Sequence, residues 1–384
     1  MTDDNIRYSL LKAYTSNENI ISELLAYSKN KFSTKNINSS NYDCCDEEPY
    51  SITWEAYHKE SDTIGVFETL KKYLVQLQFP VEKNISVTEA YRNATLKGVS
   101  TETMKAASGL VLNNPKAIRL SIHQSLVGKI PVLIVPDEQD FCAIIQALLC
   151  KNEPEHLPKS MGAAIINGIN NWDRIHRLKK EWQQSNPFES WGPYFKEYIL
   201  PHPKLYKDKI IVLSTKPYSN TTAKNMNLPL TQWIDYSLQI RLEHECAHLF
   251  TLKYFGQMAN NMHDEIIADY AGITKVLGQF NKEWFLYFLG LENYPQYRKG
   301  GRLENYLGDK GLSTEAFEVL LKLVKKIADN ISEFDKSLGP ITTSKDQLKR
   351  IICICELDLI TMASPKGFQN LITHYKSKEN ELAL

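Results

Sequence analysis

Two histidines lie four residues apart in the segment RLEHECAHLF, at residues 241–250. Residues four apart share one face of an α-helix, so the imidazoles of His244 and His248 can bind a single metal ion. Glu245 follows His244 around the helix and can face a metal-bound water. Imidazole is a good zinc ligand, and a carboxylate beside zinc-bound water can act as a general base. The spacing therefore predicts a hydrolytic Zn²⁺ site with His244 and His248 as ligands and Glu245 as the catalytic base.

A second segment, at residues 262–272, supplies candidate carboxylates. Glu265 and Asp269 are four residues apart on a predicted helix, and Glu265 can complete a set of two histidines and one glutamate for one zinc ion per chain. Asp269, one turn further on, can accept the free ring N–H of a ligand histidine. The rise per residue allows an antiparallel helix pair in which Glu265 is level with the histidines.

Other residues of these two segments compete for the same roles. His263 lies about 200° around the helix from Glu265, which favours a place in the cap region or in a cleft. Asp264 is a further rival ligand. Cys246 points away from both histidines, and we expect it to be a small buried residue. The alternative for the whole pentapeptide is that it binds no metal, with one histidine solvated and the other buried.

The two segments together resemble the gluzincin zinc metallopeptidases, which combine HExxH on one helix with ExxAD on a following helix. The resemblance covers about 30 of the 384 residues. It implies that His244, His248 and Glu265 are the metal ligands, that Glu245 is the general base and that Asp269 supports a ligand histidine. The HExxHxxGxxH pattern of the metzincins is absent from the chain.

A hydrolytic site of this kind also needs a group that stabilises the oxyanion. The loop at residues 290–306 is the best candidate region, because it combines a Gly-Gly pair with tyrosines and arginines. We select Tyr297, Arg302 and Tyr306 as possible substrate or oxyanion residues, with Arg302 as a clamp for a substrate carboxylate. The alternative is a solvent-exposed loop with structural tyrosines.

Helical periodicity dominates the rest of the chain, so we predict a mainly α (α+β) fold. Helices are predicted at residues 7–29, 64–78, 86–97, 100–108, 137–150, 160–184, 188–199, 231–255, 261–278 and through most of 281–380. Apolar runs predict strands at 129–136 and 209–215. In gluzincins a sheet edge before the HExxH helix commonly pairs with extended substrate, which makes 209–215 a candidate substrate strand; the alternative is an ordinary buried strand.

The prolines at 201 and 203 suggest a domain boundary near residue 200. Residues 201–384 are then predicted to form a zincin-like catalytic region with the active-site helix pair and a small sheet. Residues 1–200 would form a largely helical N-terminal region that shapes the cleft or binds a partner. The polar segment 30–50 is predicted to be a linker.

Composition excludes several classes of protein. Lys plus Arg equals 45 and Asp plus Glu equals 45, so the formal net charge is zero and gives no electrostatic reason to bind nucleic acid or an anionic membrane. The N-terminus lacks a signal-peptide layout, and seven cysteines without a framework suggest free thiols. We therefore expect a cytoplasmic protein whose partner is a peptide or protein substrate.

These observations favour a zinc-dependent metallopeptidase in which Glu245 assists the attack of zinc-bound water on a peptide carbonyl. In one alternative, the same zinc-dependent hydrolysis acts on an amide in a specific small molecule or modified peptide. The other is a non-catalytic binding or regulatory protein on a peptidase scaffold. An intact Glu245 counts against the second alternative, because a structural zinc site needs no general base.

Overall fold

The computed structural model of the protein describes residues 3–32, 47–259, 261–308 and 311–381. Most of the predicted linker at 30–50 lies outside the described residues. The helices are α1 (Asp3–Leu11), α2 (Glu18–Tyr27), α3 (Ser51–Ile64), α4 (Val66–Tyr73), α5 (Glu89–Lys97), α6 (Glu138–Leu148), α7 (Trp172–Ser185), α8 (Trp191–Tyr194), α9 (Leu230–Phe255), α10 (Met262–Leu277), α11 (Lys282–Leu289), α12 (Thr314–Leu338), α13 (Ser344–Glu356), α14 (Leu359–Met362) and α15 (Gly367–Glu381). The strands are β1 (Arg119–Ser125), β2 (Gly128–Val135), β3 (Ala163–Asn170) and β4 (Lys207–Ser214). The predicted mainly α (α+β) class is confirmed.

The chain divides into two compact units. The sheet unit comprises Asp46–Lys216, and the helical unit comprises Met1–Cys45 together with Pro217–Leu384. This division differs from the predicted boundary near residue 200. Strand β4 hydrogen-bonds within the sheet, which keeps the chain up to residue 216 in the sheet unit. Helices α1 and α2 pack against α14 and α12, so the N-terminal residues fold with the C-terminal half.

The sheet unit is built on a four-stranded mixed sheet with the order β1-β2-β4-β3. Strands β1 and β2 form an antiparallel hairpin, β2 and β4 are parallel, and β3 is antiparallel to β4. Strand β4 therefore has a neighbour on each side, and its side chains from Ile210 to Ser214 are buried. The prediction that 209–215 is a sheet edge for substrate is wrong, because both edges of β4 are already paired.

The differences between predicted and observed elements lie mainly in the sheet unit. The predicted strands at 129–136 and 209–215 correspond to β2 and β4. The helix predicted at 160–184 is instead strand β3 followed by α7, because the short apolar run AAIINGIN has no decisive period. Residues 100–108 form turns rather than a helix, and Met104, Ala106 and Ala107 pack against the buried cluster around Phe79.

The helical unit contains the two helices that carry the HExxH and ExxAD segments. Helix α9 ends at Gly256, whose φ of 76° gives a left-handed cap. Helix α10 begins after Asn261, whose side-chain oxygen accepts hydrogen bonds from the backbone N–H groups of His263 and Asp264 at 3.1 and 3.4 Å. The predicted bounds of both helices agree with these caps. Among the described residues the strands all belong to the sheet unit, so the predicted catalytic region with its own small sheet is not observed.

Helices α9 and α10 are antiparallel and closely packed. A Cβ atom added to Gly272 would lie 2.6 Å from the carbonyl oxygen of Ile240, while Glu265 lies about two turns away, level with both histidines. Later residues of α10 lie beside earlier residues of α9, as expected for an antiparallel helix pair. The absence of a side chain at Gly272 lets the two backbones approach, and this approach positions the site.

We expect Gly272→Ala to lower the free energy of unfolding of the helical unit by about 2 kcal/mol, because overpacking costs about 1–3 kcal/mol or more and outweighs the helix propensity gained. Differential scanning calorimetry measures the effect. Gly192→Ala is the control, since a Cβ there meets no atom within 4 Å and φ is not left-handed. Equal thermal stability of the two variants would contradict the close approach.

None of the described helices is long and apolar enough to cross a lipid bilayer.

Candidate metal centre

Three acceptor groups converge between α9 and α10. The Nε2 atoms of His244 and His248 are 3.2 Å apart. The carboxylate of Glu265 lies across both of them, with Oε2 3.4 Å from His244 Nε2 and Oε1 3.5 Å from His248 Nε2. All three side chains are buried. The structure therefore brings together the three residues that the sequence predicts as metal ligands.

These separations match the geometry of a tetrahedral zinc site. Zinc binds imidazole nitrogen and carboxylate oxygen at about 2.0–2.2 Å, so two ligands at the tetrahedral angle are about 3.3–3.5 Å apart. The Oε2 atom of Glu265 is buried and has no hydrogen-bond partner. A buried polar atom without a partner is costly, and a cation at this point removes that cost. The residues present thus fit a zinc ion.

The environment of His244 fixes which of its nitrogens faces the cluster. Its Nδ1 atom lies 3.0 Å from Oδ1 of Asp269 and 2.9 Å from the hydroxyl oxygen of Tyr218. An ionised carboxylate can only accept, so Nδ1 carries the proton and donates to Asp269. The lone pair of Nε2 then points toward His248 and Glu265, as a metal ligand requires.

His248 has a carboxylate behind it as well. Its Nδ1 atom lies 3.3 Å from Oδ2 of Asp264, an ion-pair distance without hydrogen-bond alignment. Asp264 is held in place by the backbone N–H of Ala259 at 2.9 Å and by the hydroxyl of Thr251 at 3.3 Å. Sequence reasoning treats Asp264 as a rival ligand, whereas the structure places it behind His248. The antiparallel register that places Asp269 behind His244 also places Asp264 behind His248, so this register could have predicted the position of Asp264.

Tyr218 connects the residues behind His244, and sequence reasoning misses it. Its hydroxyl donates to Oδ1 of Asp269 at 2.6 Å and accepts from Nη1 of Arg302 at 2.6 Å. Its ring packs edge-on against Phe288, and its backbone N–H donates to Ser237 of α9. Tyr218 lies in the loop before α9, where no spacing relative to the motif identifies it.

Arg302 occupies a different place from the predicted substrate clamp. Its Nη2 atom contacts Oδ2 of Asp269, while Nη1 donates to Tyr218. Both ends of the guanidinium fork are therefore used in orienting the groups behind His244. The 3₁₀ turn Arg302–Tyr306 delivers this arginine, which ties the glycine-containing loop to the metal centre.

The charges in contact at the centre favour a divalent cation. Asp264, Glu265 and Asp269 are 1%, 6% and 0% exposed, and Arg302 forms an ion pair with Asp269. With neutral imidazoles these four groups sum to −2, and a buried net charge of this size is strongly unfavourable. One Zn²⁺ ion brings the sum to zero.

The directions of the pKa shifts agree with this sum of charges. Burial raises the pKa of Asp269, but Arg302 and His244 lower it further, so the carboxyl stays well below its usual range. Burial raises the pKa of Glu265 as well, and the two histidines bring it below its usual value. Burial lowers the pKa of His248, yet Asp264 and Glu265 raise it well above normal. A proton on His248 would offset part of this negative charge, and a metal ion bound at the cluster would displace it.

The remaining predicted residues take several positions. Glu245 is half-buried, in contrast to the three buried groups of the cluster, and no hydrogen bond or ion pair among the described residues occupies its carboxylate. Tyr306 is close enough to Glu265 that burial and then this carboxylate raise its pKa. The hydroxyl of Tyr297 donates to the carbonyl of Gly301 in its own loop at 2.8 Å, which indicates a structural role.

His263 and Cys246 do not contribute to the cluster. His263 is buried on the other side of α10, with Nε2 2.9 Å from the carbonyl oxygen of Ile354 in α13. It lies in the cap region of α10, as predicted, because its backbone N–H donates to Asn261, but its ring is buried in the core rather than in a cleft. Cys246 is buried, as expected for a small residue inside the helix, and burial raises the pKa of its thiol.

Comparison with known proteins gives a family without an assigned activity. A family model described as a family of unknown function, DUF7005, matches residues 9–366. The chain belongs to this family. No curated protein and no solved structure matches the chain. Membership of the DUF7005 family therefore gives no information about the activity of this chain.

We expect Tyr218→Phe to weaken zinc affinity by about tenfold, because partners that orient a ligand histidine typically contribute 10–100-fold. The ring packing remains, so the change removes only the hydroxyl from Asp269, His244 and Arg302. Competition with a chromophoric chelator measures the affinity. Tyr14→Phe is the matched control, since it removes one hydrogen bond, to the carbonyl of Ala363, elsewhere in the helical unit. Equal zinc affinity in both variants would show that Tyr218 does not orient His244.

Proposed function

We propose that the protein is a zinc-dependent metallopeptidase with one Zn²⁺ per chain, held by His244, His248 and Glu265. The observation that carries the proposal is the convergence of two imidazole nitrogens and one carboxylate, 3.2–3.5 Å apart and buried. Two imidazole nitrogens and a carboxylate are the ligand set of catalytic zinc sites that keep a fourth position open.

When bound, the zinc ion supplies a Lewis acid that polarises a carbonyl group and lowers the pKa of water. Asp269 holds the imidazole of His244 with its Nε2 lone pair toward the cluster, and Asp264 lies 3.3 Å from Nδ1 of His248. Glu245 is adjacent to His244 on α9, and its carboxylate is free to accept a proton from the attacking water. The same group then donates that proton to the leaving amine, so that Glu245 is regenerated.

The substrate class is supported by the resemblance of the helix pair to gluzincins, which hydrolyse peptide bonds. The intact Glu245 supports a catalytic role over a purely structural zinc site. We also propose a cytoplasmic location, and the free thiols of Cys142, Cys150, Cys246, Cys353 and Cys355 support it, because a reducing compartment keeps cysteines unpaired.

The test combines metal analysis with a peptide-library digest. We expect protein produced with ample zinc to hold one zinc ion per chain by elemental analysis, and to cleave a defined subset of peptides identified by mass spectrometry. Removal of zinc with a chelator should abolish cleavage, and re-addition should restore it. Protein that holds no zinc would refute the metal centre, whereas zinc-loaded protein that cleaves no peptide would refute only the peptidase activity.

A further inference from the structure

The sheet unit contains a cavity that plays no part in the proposed metal chemistry. Its volume is about 520 Å³, within the range of about 300–1,000 Å³ that small-molecule sites occupy. Helix α5, the end of α6 and the edge strand β3 surround it. Ile166, Ile169 and Ala147 form a buried apolar floor.

The rim of this cavity is apolar and positively charged. Val87, Leu96 and Leu149 are 68%, 57% and 47% exposed, which is unusual for three large apolar side chains around one opening. Arg92 and Lys151 line the same opening, and no ion pair among the described residues neutralises either of them. The cavity therefore offers an apolar interior beneath two unpaired cations.

Nearby carboxylates do not cancel these two charges. Glu89 lines an adjoining groove of about 320 Å³ together with Arg92 and Lys97, and no ion pair among the described residues joins it to either cation. Glu153 accepts hydrogen bonds from the backbone N–H groups of Asn84 and Ser86 at 2.8 and 2.9 Å. Both oxygens of Glu153 are thus used in holding the chain before α5.

Lys151 is held at the rim by a specific backbone arrangement. Lys151 and Asn152 both adopt left-handed conformations, with φ of 56° and 61°, which non-glycine residues seldom take. Asn152 is completely buried, and its amide group donates to the carbonyl oxygens of Gln76 and Phe79 at 3.0 and 3.1 Å. The structure therefore imposes a locally unfavourable conformation at the residue that places a cation over the cavity, as functional sites often do.

The walls also contain polar atoms that the protein leaves without partners. The Oε1 atom of Gln76 and the Oδ1 atom of Asn170 have no hydrogen-bond partner, and the Gln76 side chain lies in the wall of the cavity at 9% exposure. Buried amide oxygens are normally satisfied. These two acceptors can be completed only by a donor such as water, so they do not select the charge of a ligand.

We propose that this cavity binds a small amphipathic anion, with its apolar body on the β3 floor and its anionic head group between Arg92 and Lys151. The head group is a carboxylate or a phosphate, since both accept charge-assisted hydrogen bonds from arginine and lysine. The proposal does not depend on the metal ligands or on Glu245, so its test is independent of the test of the peptidase activity.

Isothermal titration calorimetry of the full chain with four probes tests the chemistry of the ligand. Octanoate and octyl phosphate carry both features and distinguish the two head groups, acetate lacks the apolar body, and octylammonium reverses the charge. We expect saturable binding of octanoate, octyl phosphate or both, and at least tenfold weaker binding of acetate and octylammonium. Absence of saturable binding for both anions, or equal binding of octylammonium, would overturn the proposal.

Variants then test the location of the site. We expect Arg92→Gln/Lys151→Gln to weaken the binding anion at least tenfold, because a hydrogen bond to a charged group contributes about 1.5–3 kcal/mol. The double variant Lys83→Gln/Lys105→Gln, which removes two exposed lysines of the same unit, is the matched control. Hydrogen exchange should slow in α5 and β3 when the anion binds. Equal affinity in the two double variants would place the binding elsewhere and refute the assignment.

Discussion

Glu245→Gln is expected to keep one zinc ion per chain and to hydrolyse peptides about 10²–10⁴-fold more slowly, which is the usual contribution of a general acid–base residue. The amide retains the size of the carboxylate but cannot accept a proton from water. The ligands and the groups behind them stay unchanged, because no hydrogen bond or ion pair joins Glu245 to them in the described part of the chain. Single-turnover cleavage of a library-derived peptide, together with elemental analysis of the same sample, measures both quantities.

The control for this variant is Asp235→Asn, an exposed carboxylate-to-amide change on the same helix. We expect it to leave both zinc content and cleavage unchanged. Full activity of Glu245→Gln would show that another group is the base. Loss of zinc from Glu245→Gln would instead show that Glu245 is a ligand, which contradicts the assignment of Glu265.

The second large effect is expected for Glu265→Ala, which removes the carboxylate ligand. Zinc sites in small domains bind with about 10–16 kcal/mol shared among four ligands, so the loss of one ligand should weaken binding about 100-fold. The substitution also removes a buried acceptor that has no protein partner for Oε2. A chelator should therefore lower the melting temperature of the wild-type protein, and it should have little effect on the variant.

Chelator competition and thermal unfolding with and without the chelator check this expectation. Glu283→Ala on α11 is the control, because it removes an exposed glutamate from the same unit. Unchanged zinc affinity in Glu265→Ala would mean that Glu265 is not the third ligand. A melting temperature that responds equally to the chelator in both proteins would lead to the same conclusion.

The candidate centre was largely predictable because its key residues lie on two helices at regular spacing. A four-residue interval places His244 and His248 on one face, and caps at Gly256 and Asn261 set where the two helices end and begin. The groups that come from loops were not predictable. Tyr218 and Arg302 contact Asp269 from distant segments, and no periodic pattern relates a loop residue to a helix face.

The sheet was less predictable than the helices for a physical reason. Strands β2 and β4 are central and parallel to each other, so their continuous apolar runs stand out from the surrounding sequence. Strand β3 has a β-bulge between Asn167 and Ile169, which interrupts the alternation that identifies a strand. Pairing partners depend on contacts between distant segments, so the sequence run at 209–215 could not reveal that both edges of β4 are occupied.

The antiparallel hairpin of α9 and α10 also determines where the chain can change length. Residues inserted after Gly256 would lengthen the turn while both helix faces kept their orientation. One residue inserted between Glu265 and Asp269 would rotate everything beyond it by about 100° and carry Asp269 away from His244. Natural length variation that preserves this centre should therefore be confined to the turn, and the four-residue interval from Glu265 to Asp269 should tolerate none.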